Sequence, residues 1–441
     1  MKKEENMDWN DAIALLHGAN WKHTKIGLER MRDFMHALGD PQENLHYVHI
    51  AGTNGKGSAC VMTQSILTAA GFRTGLYISP HLDQFNERLS IDGQMISDAD
   101  LRRLAARVRT AAETLGEEPT DFEMITALAF CYFEEQHCDL VVLEVGMGGR
   151  LDATNVISHP EVCAIMHIGL DHTEFLGDTV EKVAAEKAGI LKPGADCVLY
   201  HQLPGVMEVV HKRFADVNPD AAARLITTDP TAFTARARTI DGQVFDYRNR
   251  PELRIQLLGN YQMENAMAVL DIIDCLIRRG WGITENAIRA GLARAVWPGR
   301  FEVLSRDPLL IVDGAHNPNG VEALVDTIRA YFPDQKINFV MGVMKDKDYH
   351  TMLRLIAPYA ARFITELPDA HRALRPEALK SEIRAYFDGP VETADSVTAA
   401  VERAMEIAEG TDVITICFGS LYQVAEIRNY FISSSRSTSN V

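Results

Sequence analysis

Lys56 stands among three glycines, Gly52, Gly55 and Gly57, in the stretch YVHIAGTNGKGS (47–58), with Asn54 before it and Ser58 after it. These residue types at this spacing suit one task, holding phosphate oxygens. Glycines let backbone N–H groups turn inward, and a following helix N-terminus adds partial positive charge. Lys56 can reach the outer phosphates, and the Ser58 hydroxyl can sit on Mg²⁺. The common phosphate loop has four residues between its glycines and a Ser or Thr directly after the lysine. Here Thr53 and Asn54 alone separate Gly52 from Gly55, and Gly57 intervenes before Ser58. A glycine-rich turn that binds nothing is the bland alternative. The strand before it and the apolar helical stretch Ala59 to Ala70 after it favour phosphate.

Other candidates follow strand-like runs. Glu144 lies near the end of DLVVLEV (139–145). It is either a helix-cap acceptor or a Mg²⁺ ligand of the kind a neighbouring strand supplies in phosphate-loop proteins. His172, beside Asp171 in IGLDH (168–172), is a hydrogen-bonder or a metal ligand, although hard Mg²⁺ prefers oxygen. Lys187 reads as a solvated helix lysine near Glu186, and as an ammonium it cannot bind metal; only a carbamate formed with CO₂ could, and the residues alone give no reason to expect one. Arg300 in WPGR is suited to phosphate charge, and Asp313 opens DGAHNP (313–318) after another strand. Asn265, near a helix start, could read an adenine edge.

Apolar periodicity supplies the elements that must position these groups. Strands are expected at 47–51, 74–78, 139–145 and 161–168, and the continuous apolarity of 139–145 marks a central parallel strand covered on both faces. Helices are expected over 8–40, with Asp8 as cap and Gly39 as stop, and over 97–115, 121–133, 260–279 and 284–295. The polar stretch 83–92 reads as a mobile loop. Residues 220–257 read as a small β section, and βα alternation restarts after Trp297-Pro298-Gly299-Arg300 with strands near 309–312, 336–343, 361–365 and 412–417. Three strands deliver polar residues at their carboxyl ends, where open α/β sheets bind ligands. The expected domains are 1–297 and 298–432, with a disordered tail at 433–441.

The chain has 441 residues, enough for two or three domains. A net charge of −17 argues against a general nucleic-acid binder, yet leaves room for a local basic pocket that takes an anionic small substrate. The seven cysteines include no C-x-x-C pair and point to a reduced state in the cytoplasm. MKKEENMDWN has no apolar core of a signal peptide, and no run is long enough to span a membrane.

Together the motifs resemble the folylpolyglutamate synthase / dihydrofolate synthase family, within the Mur-ligase-like ATP-dependent amide ligases. The matches are AGTNGKGS (51–58), SPHL (79–82) with NERLSIDG downstream, DFE (121–123), EVGMGGRLDATN (144–155), IGLDH, EKAGILK, PGR (298–300), DGAHNP and FGSLY (418–422). They run in order over nearly the whole chain. The resemblance implies an α/β fold: a P-loop ATPase domain with a mostly parallel sheet flanked by helices plus the small β section, then a smaller Rossmann-like α/β domain. It implies an active site where the two domains meet.

The resemblance also assigns residues. Asn54, Gly55, Lys56, Gly57 and Ser58 would hold ATP phosphates, with Asn265, Arg300 and Asp313 also on ATP. Ser58, Ser79 and Glu144 would hold one Mg²⁺, and Glu144, His172 and a carbamylated Lys187 a second metal; K⁺ is a further candidate. Lys56, Glu144, His172, Lys187 and Arg300 would form the catalytic set. A pterin or folate would lie near Gly27, Leu28, Glu29 and Arg30, near Asp121, Phe122, Glu123 and Met124, and near Asp152, Ala153, Thr154 and Asn155. His316 and Ser420 would lie near the incoming L-glutamate. The implied partners are ATP, L-glutamate, and dihydropteroate or reduced folates, acted on by a monomer with no nucleic acid or membrane. The implied reaction joins glutamate to a pterin carboxylate through an acyl phosphate. A cell-wall amide ligase and an ATP-driven switch protein stay open as alternatives; GGRLDATN and SPHL speak against the first, and the Glu144, His172, Lys187 set is unnecessary for the second.

Overall fold

The computed structural model describes residues 9–18, 27–220, 222–370 and 372–438. The chain divides into two compact units. The first comprises 1–234, 246–253 and 264–295, and the second comprises 235–245, 254–263 and 296–441. The long segment of the second unit thus starts beside the expected boundary at 297. Two short pieces of the small β section also belong to it, which no shift in composition announces.

The first unit is built on an eight-stranded sheet. Its strands are β1 Tyr47–Ala51, β2 Thr74–Tyr77, β3 Leu89–Ile91, β4 Gln94–Met95, β5 Leu140–Glu144, β6 Val162–Ile165, β7 Asp196–Leu199 and β8 Leu225–Thr227. Their spatial order is β4-β3-β2-β5-β1-β6-β7-β8. β1 pairs in parallel with β5 and β6, and β2 pairs in parallel with β5; only β3 and β4 run antiparallel, at one edge. Every residue of β1 and β5 is buried; β5 is apolar up to Glu144 and β1 is apolar but for His49. From β1 the chain passes beyond β5 to β2, returns to β5, then crosses to β6. Strand order therefore reverses at β1, and ligands of open α/β sheets bind beyond the carboxyl ends at such a reversal.

The expected helix over 8–40 is two helices, Trp9–Leu15 and Glu29–Leu38. Gly39 ends the second in the left-handed region at φ 89°, as a helix stop should. Asp8 lies outside the described residues. A three-stranded sheet of β9 Phe233–Thr239, β10 Gly242–Tyr247 and β11 Arg250–Ile255 accounts for most of the small β section.

The sheet of the second unit contains β12 Glu302–Arg306, β13 Leu309–Val312, β14 Ile337–Met341, β15 Ala360–Thr365, β16 Val391–Thr393 and β17 Ile414–Phe418, in the order β12-β13-β17-β14-β15-β16. β12 is an antiparallel edge that the sequence reading lacks; the rest are parallel. The last helix runs Leu421–Thr438, so residues 433–438, expected as a disordered tail, continue it, and 439–441 lie outside the described residues.

Candidate active site

β1 ends at Ala51, the glycine turn follows, and the next helix spans Lys56–Ala69. The amides of Thr53 and Asn54 donate to the His167 carbonyl beyond β6 at 2.8 and 3.2 Å, and Thr53 Oγ1 donates to Gly169 O at 3.0 Å. These bonds fasten the turn to the neighbouring strand end. Gly55 sits at φ 84°, and a Cβ placed there would lie 2.4 Å from Asn265 Oδ1. Two residues far apart in sequence thus meet, and the turn needs glycine on both counts. Gly55→Ala is expected to raise the KM for ATP by about tenfold or more, because strain of this kind costs ~1–3 kcal/mol and displaces the loop; ATP titration at saturating co-substrates measures it.

Lys56 Nζ donates to Thr53 O at 3.3 Å and lies 4.0 Å from Glu144 Oε1. Glu144, at the end of β5 and 5% exposed, accepts from the Ser79 amide at 3.1 Å through Oε2. Lys187, at the end of the helix Val180–Lys187, is buried, and its Nζ donates to Gly52 O at 2.9 Å. It is no solvated lysine. Burial pushes it down from its ordinary 10.5 to about 7, and Lys56 pushes the same way, while Asp171 and Asp152 oppose. β1, β2 and β5 and one helix end therefore bring Lys56, Ser79, Glu144 and Lys187 to one turn. Ser58 is buried in the first turn of the helix that follows.

His172 is placed differently. Its side chain is half exposed, its backbone sits at φ 49°, and its Nε2 lies 3.9 Å from Asp171 Oδ2. Among the described residues, no three His, Cys, Asp or Glu side chains converge as a metal site. One carboxylate and two serine hydroxyls match what Mg²⁺ takes from proteins that let water and phosphate complete its octahedron. As an ammonium, Lys187 is no ligand.

The loop after β5 carries the DATN residues. Asp152 accepts from Met147 N through Oδ2 at 2.9 Å and from Thr154 N and Oγ1 through Oδ1 at 3.0 and 2.6 Å. Burial holds its carboxyl above the usual range despite these donors. Ala153, Thr154 and Asn155 form a buried 3₁₀ turn, and Asn155 Nδ2 donates to Arg150 O and Gly189 O. Asp121, Phe122, Glu123 and Met124 open the helix Asp121–Glu135, capped reciprocally by Thr120 and Glu123. Asp121 accepts from Gly18 N, Met124 is buried, and the Phe122 ring packs so closely on Gly146 that a Cβ there would lie 2.5 Å away.

Gly27, Glu29 and Arg30 border a cavity of about 320 Å³, with Asp33, Leu115 and Glu117, and Leu28 is buried beside it. Arg30 makes a two-pronged, nearly fully buried pair with Glu123, at 2.9 and 3.1 Å. Arg30→Ala leaves that carboxylate buried without its cation, and about 3–5 kcal/mol of stability is expected to be lost. Denaturant titration of the variant measures it.

In the second unit, Asp313 follows β13. It accepts from Phe301 N and Ala315 N, both at 2.8 Å, and burial raises its carboxyl while Arg300 opposes. Arg300 Nη1 would stand 3.1 Å from a Cβ on Gly314. His316 Nδ1 lies 2.8 Å from Gly314 O, and Ser420, buried after β17, accepts from Tyr422 N. Arg300, Asp313, His316 and Ser420 thus share the carboxyl edge of one sheet.

Two residues escape the sequence reading. Arg88 ends a capped 3₁₀ helix, Phe85–Arg88, which runs into β3, so the stretch 83–92 is ordered structure and not the loop expected there. Arg88 donates through Nε to His81 Nδ1 at 2.8 Å and stands over the Phe85 ring, and burial pushes its guanidinium down, against pull from Tyr77 and Glu144. Nothing in NERLSIDG separates it from a solvated arginine. His49, inside β1, is wholly buried and meets Thr154; a lone histidine in an apolar run was its one signal.

Residues 50–273 match the Mur ligase middle domain, and residues 299–420 match the Mur ligase glutamate ligase domain. The chain is 35% identical over 435 residues to the folylpolyglutamate synthase of Lacticaseibacillus casei, covering 96% of this chain and 98% of that one. It is 34% identical over 430 residues to the dihydrofolate synthase/folylpolyglutamate synthase of Bacillus subtilis, covering 95% and 98%. Among solved structures, the Mycobacterium tuberculosis folylpolyglutamate synthase complexed with ADP and AMPPCP superposes with a TM-score of 0.84 at 31% identity, covering 96% of this chain and 99% of that one. A folylpolyglutamate synthase–AMPPCP–folate complex gives 0.83 at 32% identity, covering 97% and 100%. The protein therefore belongs to the folylpolyglutamate synthase / dihydrofolate synthase family of ATP-dependent Mur-type ligases.

Proposed function

We propose that this enzyme ligates L-glutamate to the carboxylate of dihydropteroate and of reduced folates, with ATP cleaved to ADP and phosphate. The observation that carries the reading is the gathering of Lys56, Glu144, Ser79 and Lys187 around a glycine turn at the strand-order reversal. A carboxylate is a poor electrophile. One of its oxygens attacks the γ-phosphorus, ADP leaves, and an acyl phosphate forms. The glutamate amine, having lost a proton, attacks the acyl carbon, and phosphate departs to leave an amide.

Both steps accumulate negative charge on phosphoryl oxygens, so fixed cations aimed at them lower the barrier. Gly55 to Ser58 cradle the phosphates, Asn54 and Asn265 orient the nucleotide, and Lys56 faces the β and γ oxygens. Arg300 and Asp313 are assigned to ATP as well. Ser58, Ser79 and Glu144 would hold Mg²⁺, which when bound neutralises the triphosphate. A carbamylated Lys187 with Glu144 and His172 would serve a second metal; the buried, proton-poor amine supports this, since only the neutral amine reacts with CO₂. K⁺ is the remaining cofactor of the reading. The pterin acid is assigned to Gly27–Arg30, Asp121–Met124 and Asp152–Asn155, and glutamate to His316 and Ser420.

No helix among the described residues is long and apolar enough to cross a membrane. A monomer acting on small molecules in the cytoplasm completes the reading. The test is ADP release with ATP, Mg²⁺ and each acid in turn. Release should require both glutamate and dihydropteroate or tetrahydrofolate. Release indifferent to both would sink the reading.

A further inference from the structure

His49 is an expensive residue where it stands. Its neighbours in β1 are Tyr47, Val48, Ile50 and Ala51, and its side chain is fully buried. Nδ1 has no hydrogen-bond partner, a cost an apolar residue would avoid. Nε2 lies 2.9 Å from Thr154 Oγ1, which lies 2.6 Å from Asp152 Oδ1. A hydroxyl has one proton. At 2.6 Å from a carboxylate, that of Thr154 goes to Asp152, so Thr154 can only accept from His49. Nε2 therefore carries the hydrogen and Nδ1 is bare. Burial and Lys192 push the imidazole down to about 3, so the ring is neutral at working pH.

We propose that His49 is a positioning residue for the acid substrate: it aims the Thr154 hydroxyl at Asp152 and so fixes the carboxylate that faces the pterin. The inference rests on the assignment of Asp152 to that substrate. The chain of donors runs one way, from β1 through Thr154 to Asp152, whose second oxygen is held by Met147 N at 2.9 Å. Both carboxylate oxygens are thereby fixed in direction. The strand that leads into the phosphate turn is thus also linked to the loop that takes the acid. A residue serving packing alone would be better apolar here.

His49→Leu is expected to keep or raise the melting temperature, to raise the KM for dihydropteroate by about tenfold, and to leave the KM for ATP unchanged. His49→Gln, whose Nε2 can replace the imidazole N–H, is expected to restore most of the loss. Thr154→Val should match His49→Leu, and the double variant should be no worse than either single one. A fall in melting temperature with both KM values unchanged, or an equal rise in both, would overturn the proposal. If the Leu variant does not accumulate as folded protein, His49→Gln against Thr154→Val decides it: equal rises in the acid KM would overturn the role of the N–H. Asp152→Asn separates the two claims. If it leaves the dihydropteroate KM unchanged, the substrate assignment fails and the proposal with it; if it raises that KM while His49→Leu does not, the proposal alone fails.

Discussion

Lys187→Met is expected to yield a protein that is more stable than the parent at neutral pH and about 10²–10³-fold less active. Methionine matches the stem in length and has no charge to desolvate. The shift of Lys187 from 10.5 to about 7 corresponds to roughly 5 kcal/mol against the charged form, net of the opposing pull of Asp171 and Asp152. Because the folded value is the lower one, the unfolded chain binds more protons between pH 7 and 10.5, and stability rises with pH across that window. The penalty is complete below pH 7 and gone above 10.5. Thermal melts of parent and variant in CO₂-free buffer should therefore differ most below pH 7 and converge towards pH 10. Parallel curves would show that burial does not depress the lysine. ADP release by the variant at the parental rate would remove Lys187 from the catalytic set.

Lys56→Met is expected to lower kcat by about 10²–10³-fold with little change in the KM for the acid, since the proposed function assigns its charge to phosphoryl oxygens that gain negative charge in the transition state. It should have a second effect. Lys56 is one cause of the low Lys187 value, so removing it lets Lys187 hold its proton to higher pH. The window in which stability climbs should then begin above pH 7. Melts of Lys56→Met against the Lys56→Met/Lys187→Met double variant test this. A start unchanged from that of the parent would mean that burial alone sets the amine. Loss of acid binding rather than of turnover would mean that Lys56 holds the loop and not the phosphates.

The local elements were legible because their causes are local. The near-continuous apolar run at 139–145 demanded a covered parallel strand, 47–51 read as a short buried one, and the glycines around Lys56 demanded a turn between strand and helix. The motif set also carried the family. Spacing could not show which strand lies beside which. The reversal of order at β1 is a property of the sheet, and it is what brings Glu144, Ser79 and the phosphate turn together. Burial of Lys187 was equally invisible: EKAGILK reads as a surface helix end, yet packing seats the amine against Gly52 O. Contacts between residues distant in sequence decided the rest, such as Gly55 on Asn265 and His49 on Thr154. The phosphate loop was thus named by the sequence, because residue type sets what it can bind. Its chemistry was decided by the fold, because desolvation and neighbouring charge act through space and set which groups carry protons.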